Sequence, residues 1–287
     1  MNKKPLLAVI GGSGVYNMSQ LTDVENIDLD TPFGKPSSPI MIGMLKGKPV
    51  AFLARHGLGH FLLPSEVNYR ANIYALKSIG IKKIISISAV GSLREDYAPG
   101  NIIVPDQLFD FTRHQRPMSF FGNGLVGHVS VADPFCSDLS RKIYDATQKT
   151  GATTHVCGTL ITIEGPRFST KAESNVFRSW GMDLIGMTAC PEAFLAKEAG
   201  LCYATMAHVT DYDVWHETEE SVTVDMVINT LKKNVAFAQQ AIVNLIETLD
   251  YNHTCEGTLQ DSIMTSPDVI PTETKRKIDI IAGKYLP

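Results

Sequence analysis

Short runs of apolar residues alternate along this chain with longer segments whose apolar residues recur at helical spacing. We predict strands at residues 6–10, 50–54, 84–89, 101–104, 159–163, 183–186 and 201–210. Several of these runs are apolar at consecutive positions, which is typical of central strands covered on both faces. The alternation therefore predicts an α/β fold in which helices cover a central, largely parallel sheet.

Capping residues and glycines mark the ends of the predicted helices. The three shorter helices begin at Ser65, Ser137 and Pro191 and end before Gly80, Gly151 and Gly200. The longest predicted helix spans residues 223–249, where valine, isoleucine, leucine and alanine form one apolar stripe.

The last 37 residues differ in composition from the rest of the chain. No break in composition or internal repeat divides residues 1–250, whereas residues 251–287 are polar and contain Pro267 and Pro271. We predict one domain over 1–250 and a C-terminal extension over 251–287. The extension either packs on the domain or is a flexible end, with a short basic helix near residues 274–281.

The overall composition excludes several classes of protein. The chain has 287 residues, 44% of them hydrophobic and 20% charged, with 26 Lys and Arg against 30 Asp and Glu. A net charge of −4 gives no basic surface for nucleic acid, so an anionic ligand needs a locally positive pocket. No apolar run approaches the ~20 residues of a membrane span, and the run at 6–10 is too short for a signal peptide. We expect a cytoplasmic protein that binds neither membranes nor nucleic acid.

The five cysteines show no metal-binding or disulfide spacing. Cys136, Cys157, Cys190, Cys202 and Cys255 form no Cys-x-x-Cys pair, and their number is odd. This pattern predicts reduced thiols that behave as small buried apolar side chains, rather than a disulfide framework or a zinc site.

Two segments near the predicted strand ends suggest an anion site. The Gly-Gly-Ser-Gly sequence at 11–14 either turns its backbone N–H groups and the Ser13 hydroxyl towards an anion or is an ordinary tight turn. Arg55 and His56 end the strand at 50–54, at the edge of the sheet where α/β proteins bind ligands. They form either an anion clamp or a solvated loop. His60 does not favour a metal site, because no carboxylate stands beside either histidine.

Three later segments end strands with residues suited to a nucleoside. The small residues at 88–93 offer backbone amides, Phe168 can stack on a planar ring, and Ser169 can hydrogen-bond the ring edge. Met187 can lie against a sugar, and Thr188 can donate to an anion. Each segment alone is equally consistent with close packing at a turn.

The sequence Asp-Tyr-Asp at 211–213 allows two chemistries. Alternate residues of an extended chain point the same way, so Asp211 and Asp213 can reach one ligand. They can hold Mg²⁺ with nucleotide phosphates, as in a sugar-nucleotide transferase. Alternatively, they can address a heterocycle, with a protonated carboxyl donating to a ring nitrogen and an ionised one accepting from an amino group.

Eight short motifs occur together in one order. They are Gly-Gly-Ser-Gly at 11–14, Asp-Thr-Pro-Phe-Gly at 30–34, Arg-His-Gly at 55–57, Asn-Tyr-Arg-Ala-Asn at 68–72, Gly-Ser-Leu-Arg at 91–94, Glu-Gly-Pro-Arg-Phe-Ser at 164–169, Gly-Met-Thr at 186–188 and Thr-Asp-Tyr-Asp at 210–213. From about residue 6 to 249 the set resembles the trimeric purine nucleoside phosphorylase family, specifically its 5′-methylthioadenosine phosphorylase branch. The departures are Ser13 where many relatives have threonine, a shorter loop after Phe120, and Cys255 as the sole cysteine of the extension, so no tail disulfide is assumed.

The resemblance implies a single nucleoside phosphorylase domain with a mixed central sheet, and roles for individual residues. Phosphate would be held by Ser13, Arg55, His56, the Ala89 amide and Thr188. The ribose would lie on Met187, and the base would contact Phe168, Ser169, Asp211 and Asp213. The 5′-methylthio group would occupy an apolar slot of Val224, Val227 and Ile228, completed by His128 of a neighbouring subunit. The slot residues are equally consistent with ordinary helix core.

The implied reaction is phosphorolysis of 5′-methylthioadenosine to adenine and 5-methylthioribose 1-phosphate. Asp211 would serve the purine N7, and Asp213, assisted by Ser169, would accept from the 6-amino group. Arg55, His56 and Thr188 would donate to phosphate, the co-substrate, and no cofactor or metal is expected. The implied assembly is a homotrimer, or a hexamer built as a dimer of trimers. The alternatives are a 6-oxopurine or methylthioinosine phosphorylase, a metal-dependent glycosyltransferase and a non-catalytic purine sensor.

Overall fold

The computed structural model describes residues 4–12, 14–113, 115–216, 224–250 and 255–286. Within 224–250 it describes the backbone throughout, but not the side chains at 224, 226, 227, 229 and 231–233. Among the described helices, none combines the length and the apolar character that a bilayer span requires.

The strands of the described chain form one branched sheet. They are β1 (Leu7–Gly11), β2 (Thr22–Ile27), β3 (Ile40–Leu45), β4 (Lys48–Ala54), β5 (Lys83–Ser92), β6 (Ile102–Val104), β7 (Gln107–Phe111), β8 (Thr154–Val156), β9 (Thr159–Ile163), β10 (Leu184–Gly186) and β11 (Cys202–Asp211). The order is β2-β3-β4-β1-β5-β10-β9-β7, and β11 branches from β5 to pair with β6, which pairs with β8. The sheet is mixed, because β2-β3-β4, β5-β10 and β6-β11 pair antiparallel.

Seven helices accompany the sheet in the described residues. They are α1 (Tyr69–Ser78), α2 (Ser137–Gln148), α3 (Lys171–Ser179), α4 (Ala189–Glu198), α5 (Val224–Thr248), α6 (Thr272–Lys277) and α7 (Asp279–Ala282). The predicted cap at Ser65 is wrong. The side chain of Asn68 accepts the Ala71 N–H at 3.1 Å, so the cap of α1 lies three residues later than the sequence indicated.

Each central strand buries side chains on both faces of the sheet. In β1, Ala8 and Ile10 pack with α1 and α4, while Leu7 and Val9 pack with α2 and α5. This alternation follows from the two-residue period of a strand. It explains why these strands are apolar at consecutive positions.

The described part of the C-terminal extension packs on the domain. Leu259, Ile270, Ile278 and Ile281 are at most 6% exposed and belong to the same core cluster as residues of α1 and α4. The predicted basic helix at 274–281 is divided into α6 and α7. The described extension is thus a part of the folded body rather than a free end.

Glu198, at the end of α4, is predicted to make the stability of the protein depend on pH. Burial raises the pKa of its carboxyl to about 7, although hydrogen bonds from the Phe120 amide and Ser119 oppose the rise. The folded state therefore retains a proton that the unfolded chain releases, so this stabilisation is present at acid pH and is lost as the pH rises to about 7. Between about pH 5 and pH 8 we expect wild type to lose roughly 3 kcal/mol of unfolding free energy relative to Glu198→Gln.

Urea unfolding of both proteins across this pH range measures the difference. Other titrating groups are common to both proteins and cancel in the comparison. Curves that remain parallel from acid to neutral pH would contradict the raised pKa of Glu198.

Candidate active site

A cavity of about 640 Å³ lies where the carboxyl ends of β1, β4, β5 and β11 meet. These strands run parallel, so the residues that follow them gather at one edge of the sheet. The predicted site residues that line the cavity are Arg55, His56, Ala89, Phe168, Ser169, Met187, Thr188, Asp211, Asp213 and Ile228. Sequence motifs separated by more than 150 residues therefore form one site.

Four predicted site residues are not placed in this cavity. Ser13 and the side chains of Val224 and Val227 fall outside the described residues. Gly12 and Val15, on either side of Ser13, do line the cavity, and Gln239 of α5 donates to the Gly14 carbonyl at 2.8 Å. His128 is exposed and is not among the residues lining the cavity, so its contribution to a neighbouring subunit stays a prediction.

Arg55 is held by a buried carboxylate that the sequence did not identify as part of the site. Its Nε and Nη2 donate to the two carboxylate oxygens of Glu192 at 2.7 and 2.8 Å, and Glu192 also accepts from the Tyr203 hydroxyl at 2.8 Å. Arg55 is 2% exposed and Glu192 is fully buried. Burial alone would lower the pKa of Arg55, but the carboxylate outweighs it and raises the pKa above its usual range. The guanidinium is thus a fixed positive charge.

A pair of hydroxyls extends from the Arg55 guanidinium along the cavity wall. Nη1 of Arg55 lies 3.3 Å from the Ser88 hydroxyl, which lies 3.4 Å from the Thr188 hydroxyl. Ser88 lines the cavity with Thr188, and it was not among the predicted phosphate-binding residues. Its position near the end of a predicted buried strand is the sequence feature that could have identified Ser88 as a site residue.

His56 is a neutral imidazole in this site. Its Nδ1 lies 2.9 Å from the Leu62 carbonyl, which can only accept, so Nδ1 carries the hydrogen and Nε2 is left as an acceptor. Burial, followed by the positive charge of Arg55, lowers the pKa of His56 to about 4. The imidazole of His60 stacks on it at 4.4 Å. In this form His56 can accept a hydrogen bond from a protonated phosphate oxygen through Nε2, and the role of His56 in holding phosphate stays a prediction.

The two aspartates reach the cavity through a bulge and a turn rather than through a regular strand. The pairing of β11 with β5 skips Thr210, so Val209 pairs with Val90 and Asp211 with Gly91. Asp213 then adopts φ 51°, in the left-handed region. A Cβ at Gly91 would lie 2.9 Å from Asp211 Oδ1 and 3.3 Å from Asp213 Cβ, so glycine makes room for the pair.

The carboxylates of the two aspartates have different hydrogen-bond environments. Asp211 accepts from the Thr210 hydroxyl at 2.7 Å and from the Asp213 amide at 2.8 Å. Asp213 Oδ2 is buried and has no hydrogen bond of regular geometry, although the hydroxyls of Ser174 and Ser169 are near enough to oppose the rise in its pKa. Burial raises the pKa of both carboxyls. Asp213 is thus an acceptor that lacks a donor from the protein.

Arg116 organises the loop that carries the aromatic residue, and sequence reasoning missed it. Its guanidinium is buried and donates to the carbonyls of Glu164, Met187 and Cys190 at 2.7–2.8 Å. These bonds connect the turn before Phe168 to the residues after β10. Phe168 and Met187 are therefore fixed on the same cavity wall.

One wall of the cavity is apolar where α5 crosses it. Ile228 and Val235 of α5 line the cavity together with Phe61 and Leu63 of the loop after β4. Ile228 is 41% exposed, so it is not an ordinary core residue of the helix. This wall adjoins the glycine-rich turn after β1, since a Cβ on Gly14 would lie 3.6 Å from Val235 Cγ2.

Comparison with known proteins identifies the family. The model of the phosphorylase superfamily matches residues 6–247. S-methyl-5′-thioadenosine phosphorylase of Geobacter sulfurreducens is 51% identical over 283 residues, covering 98% of this chain and 99% of that protein. The enzyme of the same name from Chloroflexus aurantiacus is 52% identical over 281 residues, covering 97% of this chain and 98% of that protein.

Solved structures agree with the sequence relatives. A methylthioadenosine phosphorylase from an antarctic soil metagenomic library superposes with a TM-score of 0.92 at 44% identity, covering 97% of this chain and 99% of that one. The Schistosoma mansoni methylthioadenosine phosphorylase in complex with adenine gives a TM-score of 0.85 at 36% identity, covering 90% of this chain and 99% of that one.

The fold and the site together are those of a nucleoside phosphorylase, a pentosyltransferase. Within the phosphorylase superfamily, the chain belongs to the methylthioadenosine phosphorylase branch. The predicted family and fold class are confirmed.

Proposed function

We propose that this protein cleaves 5′-methylthioadenosine with inorganic phosphate, giving adenine and 5-methylthioribose 1-phosphate. The observation that carries the proposal is the polarity of the cavity. The hydroxyls of Ser88 and Thr188, beside the Arg55–Glu192 ion pair, line the same cavity as the buried Asp211 and Asp213. An anion and a nitrogen heterocycle can thus bind together.

The proposed chemistry follows from where charge develops. As the C1′–N9 bond breaks, its electron pair moves to the purine, the sugar becomes positive, and a phosphate oxygen forms the new bond to C1′. The phosphate anion beneath C1′ stabilises the sugar, and a proton at N7 stabilises the departing base. The raised pKa of Asp211 suits a carboxyl that donates this proton or bonds to N7 once it is protonated.

The phosphate site is proposed to favour monohydrogen phosphate. Ser88 and Thr188 supply hydroxyl donors, Arg55 acts through Ser88, to which its Nη1 donates, and neutral His56 supplies an acceptor for the remaining P–OH. The backbone at Gly12 and Ala89, both at the cavity wall, closes the site around the anion. These contacts would hold phosphate in line for attack.

Specificity for the base and the 5′ group is proposed to come from two walls. The unpaired Asp213 Oδ2 accepts from a 6-amino group, with Ser169 beside it, and Phe168 stacks on the ring. Met187 contacts the ribose. At the 5′ end, Ile228 and Val235 offer apolar surface to a thiomethyl group, and Val224 and Val227 are proposed to extend it.

The proposed assembly is a homotrimer, or a hexamer as a dimer of trimers, in which His128 reaches a neighbour's 5′ pocket. His128 is suited to this role because it is exposed and its backbone N–H is anchored on the Ser262 carbonyl at 2.8 Å. We place the enzyme in the cytoplasm, where its five cysteines, all described as thiols, would stay reduced. Phosphate is a co-substrate, and no cofactor is proposed.

Product analysis with and without phosphate tests the function. We expect equal amounts of adenine and methylthioribose 1-phosphate from methylthioadenosine, no cleavage without phosphate, and no loss of rate in EDTA. Faster cleavage of methylthioinosine or inosine would instead establish the 6-oxopurine alternative. Loss of activity in EDTA, or binding of adenine without turnover, would contradict the proposal.

A further inference from the structure

Three cysteines far apart in the sequence meet near the start of β11, whose other end reaches the cavity. Cys136 caps the N-terminus of α2, Cys202 is the first residue of β11, and Cys255 opens the described part of the extension. Their sulfur atoms all lie within 4.8 Å of one another. Cys136 and Cys202 are buried and Cys255 is partly exposed. We refer to these three residues as the thiol cluster.

The backbone around the thiol cluster holds the three sulfurs together. The Cys136 amide donates to the Tyr203 carbonyl at 2.8 Å, which fixes the start of α2 beside β11. The extension approaches so closely that a Cβ on Gly200 would lie 3.5 Å from the Cys255 carbonyl. The Cys255 thiol is in hydrogen-bond contact with both other thiols. The cluster is therefore a product of the tertiary fold, which the spacing of the cysteines in the sequence does not indicate.

The charges near the cluster allow for bound thiolates. Lys83 of β5 pairs in register with Cys202, and its ammonium is 2% exposed. It lies 3.8 Å from Asp138 and 3.5 Å from Asp250. Lys142 pairs with the same two carboxylates, so these two cations and two carboxylates sum to zero and add no negative charge that would oppose bound thiolates.

We propose that the thiol cluster is a binding site for one thiophilic cation, Zn²⁺ or Cu⁺, which joins the C-terminal extension to α2 and β11. Thiolate sulfur is the ligand type that selects these two ions in proteins. Metal–sulfur bonds of about 2.3 Å require sulfurs roughly 3.8 Å apart, so small side-chain rotations suffice to close the site. Each thiol that binds releases its proton to solvent, and no oxidation takes place.

The site serves stability rather than catalysis. Cys202 begins β11 and Asp211 ends it, and at about 3.3 Å per residue they lie roughly 30 Å apart. Bound metal is expected to raise the melting temperature, because it binds the folded chain and ties the extension down. The phosphorolysis rate should not change.

Metal titration of the fully reduced, metal-free protein tests the site. Cd²⁺ and Co²⁺, as probes for the Zn²⁺ mode, report through sulfur-to-metal charge-transfer absorbance, and Cu⁺ is measured in competition with a chelator. We expect one equivalent of metal ion to bind per chain in at least one of these titrations. The ion that binds with the higher affinity is then the one that the site selects. Cys255→Ser is the main variant, because this residue is partly exposed and least needed for packing. This variant should lower the affinity for the metal ion by at least about 10–100-fold, because replacing a residue that only supports a metal ligand already lowers affinity by that much.

Cys157→Ser is the matched control, since Cys157 is exposed and outside the cluster. It should bind as wild type does, and metal should raise the melting temperature of both proteins but not of Cys255→Ser. The proposal is overturned if reduced wild type binds no stoichiometric metal, if Cys255→Ser keeps wild-type affinity, or if Cys157→Ser loses it. A disulfide between two cluster cysteines that persists in the protein as purified under reductant would also overturn it.

Discussion

We expect the Asp213→Asn variant to cleave 6-oxo purine nucleosides in preference to 6-amino ones. The buried Oδ2 of Asp213 lacks a donor from the protein, and a 6-amino group supplies one. A 6-oxo purine instead places its carbonyl against this oxygen, leaving two acceptors opposed at a cost of about 1–3 kcal/mol. The asparagine amide reverses both contacts, so the ratio of kcat/KM values should change by roughly 30-fold to 10⁴-fold.

Asparagine is also the replacement that the backbone tolerates best. Asp213 has φ 51°, and asparagine enters this left-handed region more readily than other side chains. Rates for methylthioadenosine, methylthioinosine, adenosine and inosine give the ratio. Asp96→Asn is the control, because Asp96 is exposed and pairs with Arg94 away from the cavity. An unchanged preference in Asp213→Asn would show that this carboxylate does not read the base.

The Glu192→Ala variant should be less stable than wild type by about 3–5 kcal/mol, because it leaves the Arg55 guanidinium buried without its carboxylate. Both side chains are nearly inaccessible, and their two hydrogen bonds are 2.7 and 2.8 Å long. Phosphate would partly replace the missing negative charge. Added phosphate should therefore raise the melting temperature of this variant more than that of wild type. The KM for phosphate should increase, because Arg55 loses its orientation.

The double variant Arg55→Met/Glu192→Met separates stability from function. Replacing both partners of a buried ion pair with apolar side chains is often neutral for stability. We therefore expect a smaller loss of stability in urea than for Glu192→Ala, set by the hydrogen bonds that Tyr203, Ser86 and the Ile87 carbonyl lose, combined with loss of saturable phosphate binding. If Glu192→Ala is as stable as wild type, the ion pair does not hold Arg55 in place.

Residues at strand ends were predictable as site residues, whereas those that support them were not. Phe168, Met187 and Thr188 follow the apolar runs of β9 and β10. These two strands run antiparallel to β5, and the residues after β10 reach the cavity because Ile185 pairs with Gly91 near the end of β5. Glu192 and Arg116 carry no comparable signal. A glutamate in the first turn of a helix is usually solvated, and an arginine in a loop is usually exposed, so only the folded chain distinguishes these two.

The exposed strand β2 illustrates what local pattern does not encode. Its residues Thr22–Ile27 are mostly polar and exposed, and they form a strand because β3 offers an unpaired edge. Helix α3 was not predicted, although its capping box, made by Thr170 and Glu173, is a pattern that the sequence contains.

The sequence by itself determined the α/β class, the central strands and the residues at their carboxyl ends, because periodicity and turn chemistry are local properties. Tertiary structure alone decided which buried carboxylate holds Arg55, which oxygen of Asp213 lacks a donor, and that Cys136, Cys202 and Cys255 share one place. These depend on distances between residues remote in the chain. Such distances are set by how the helices and the extension pack on the sheet, and no short-range pattern of amino acids records them.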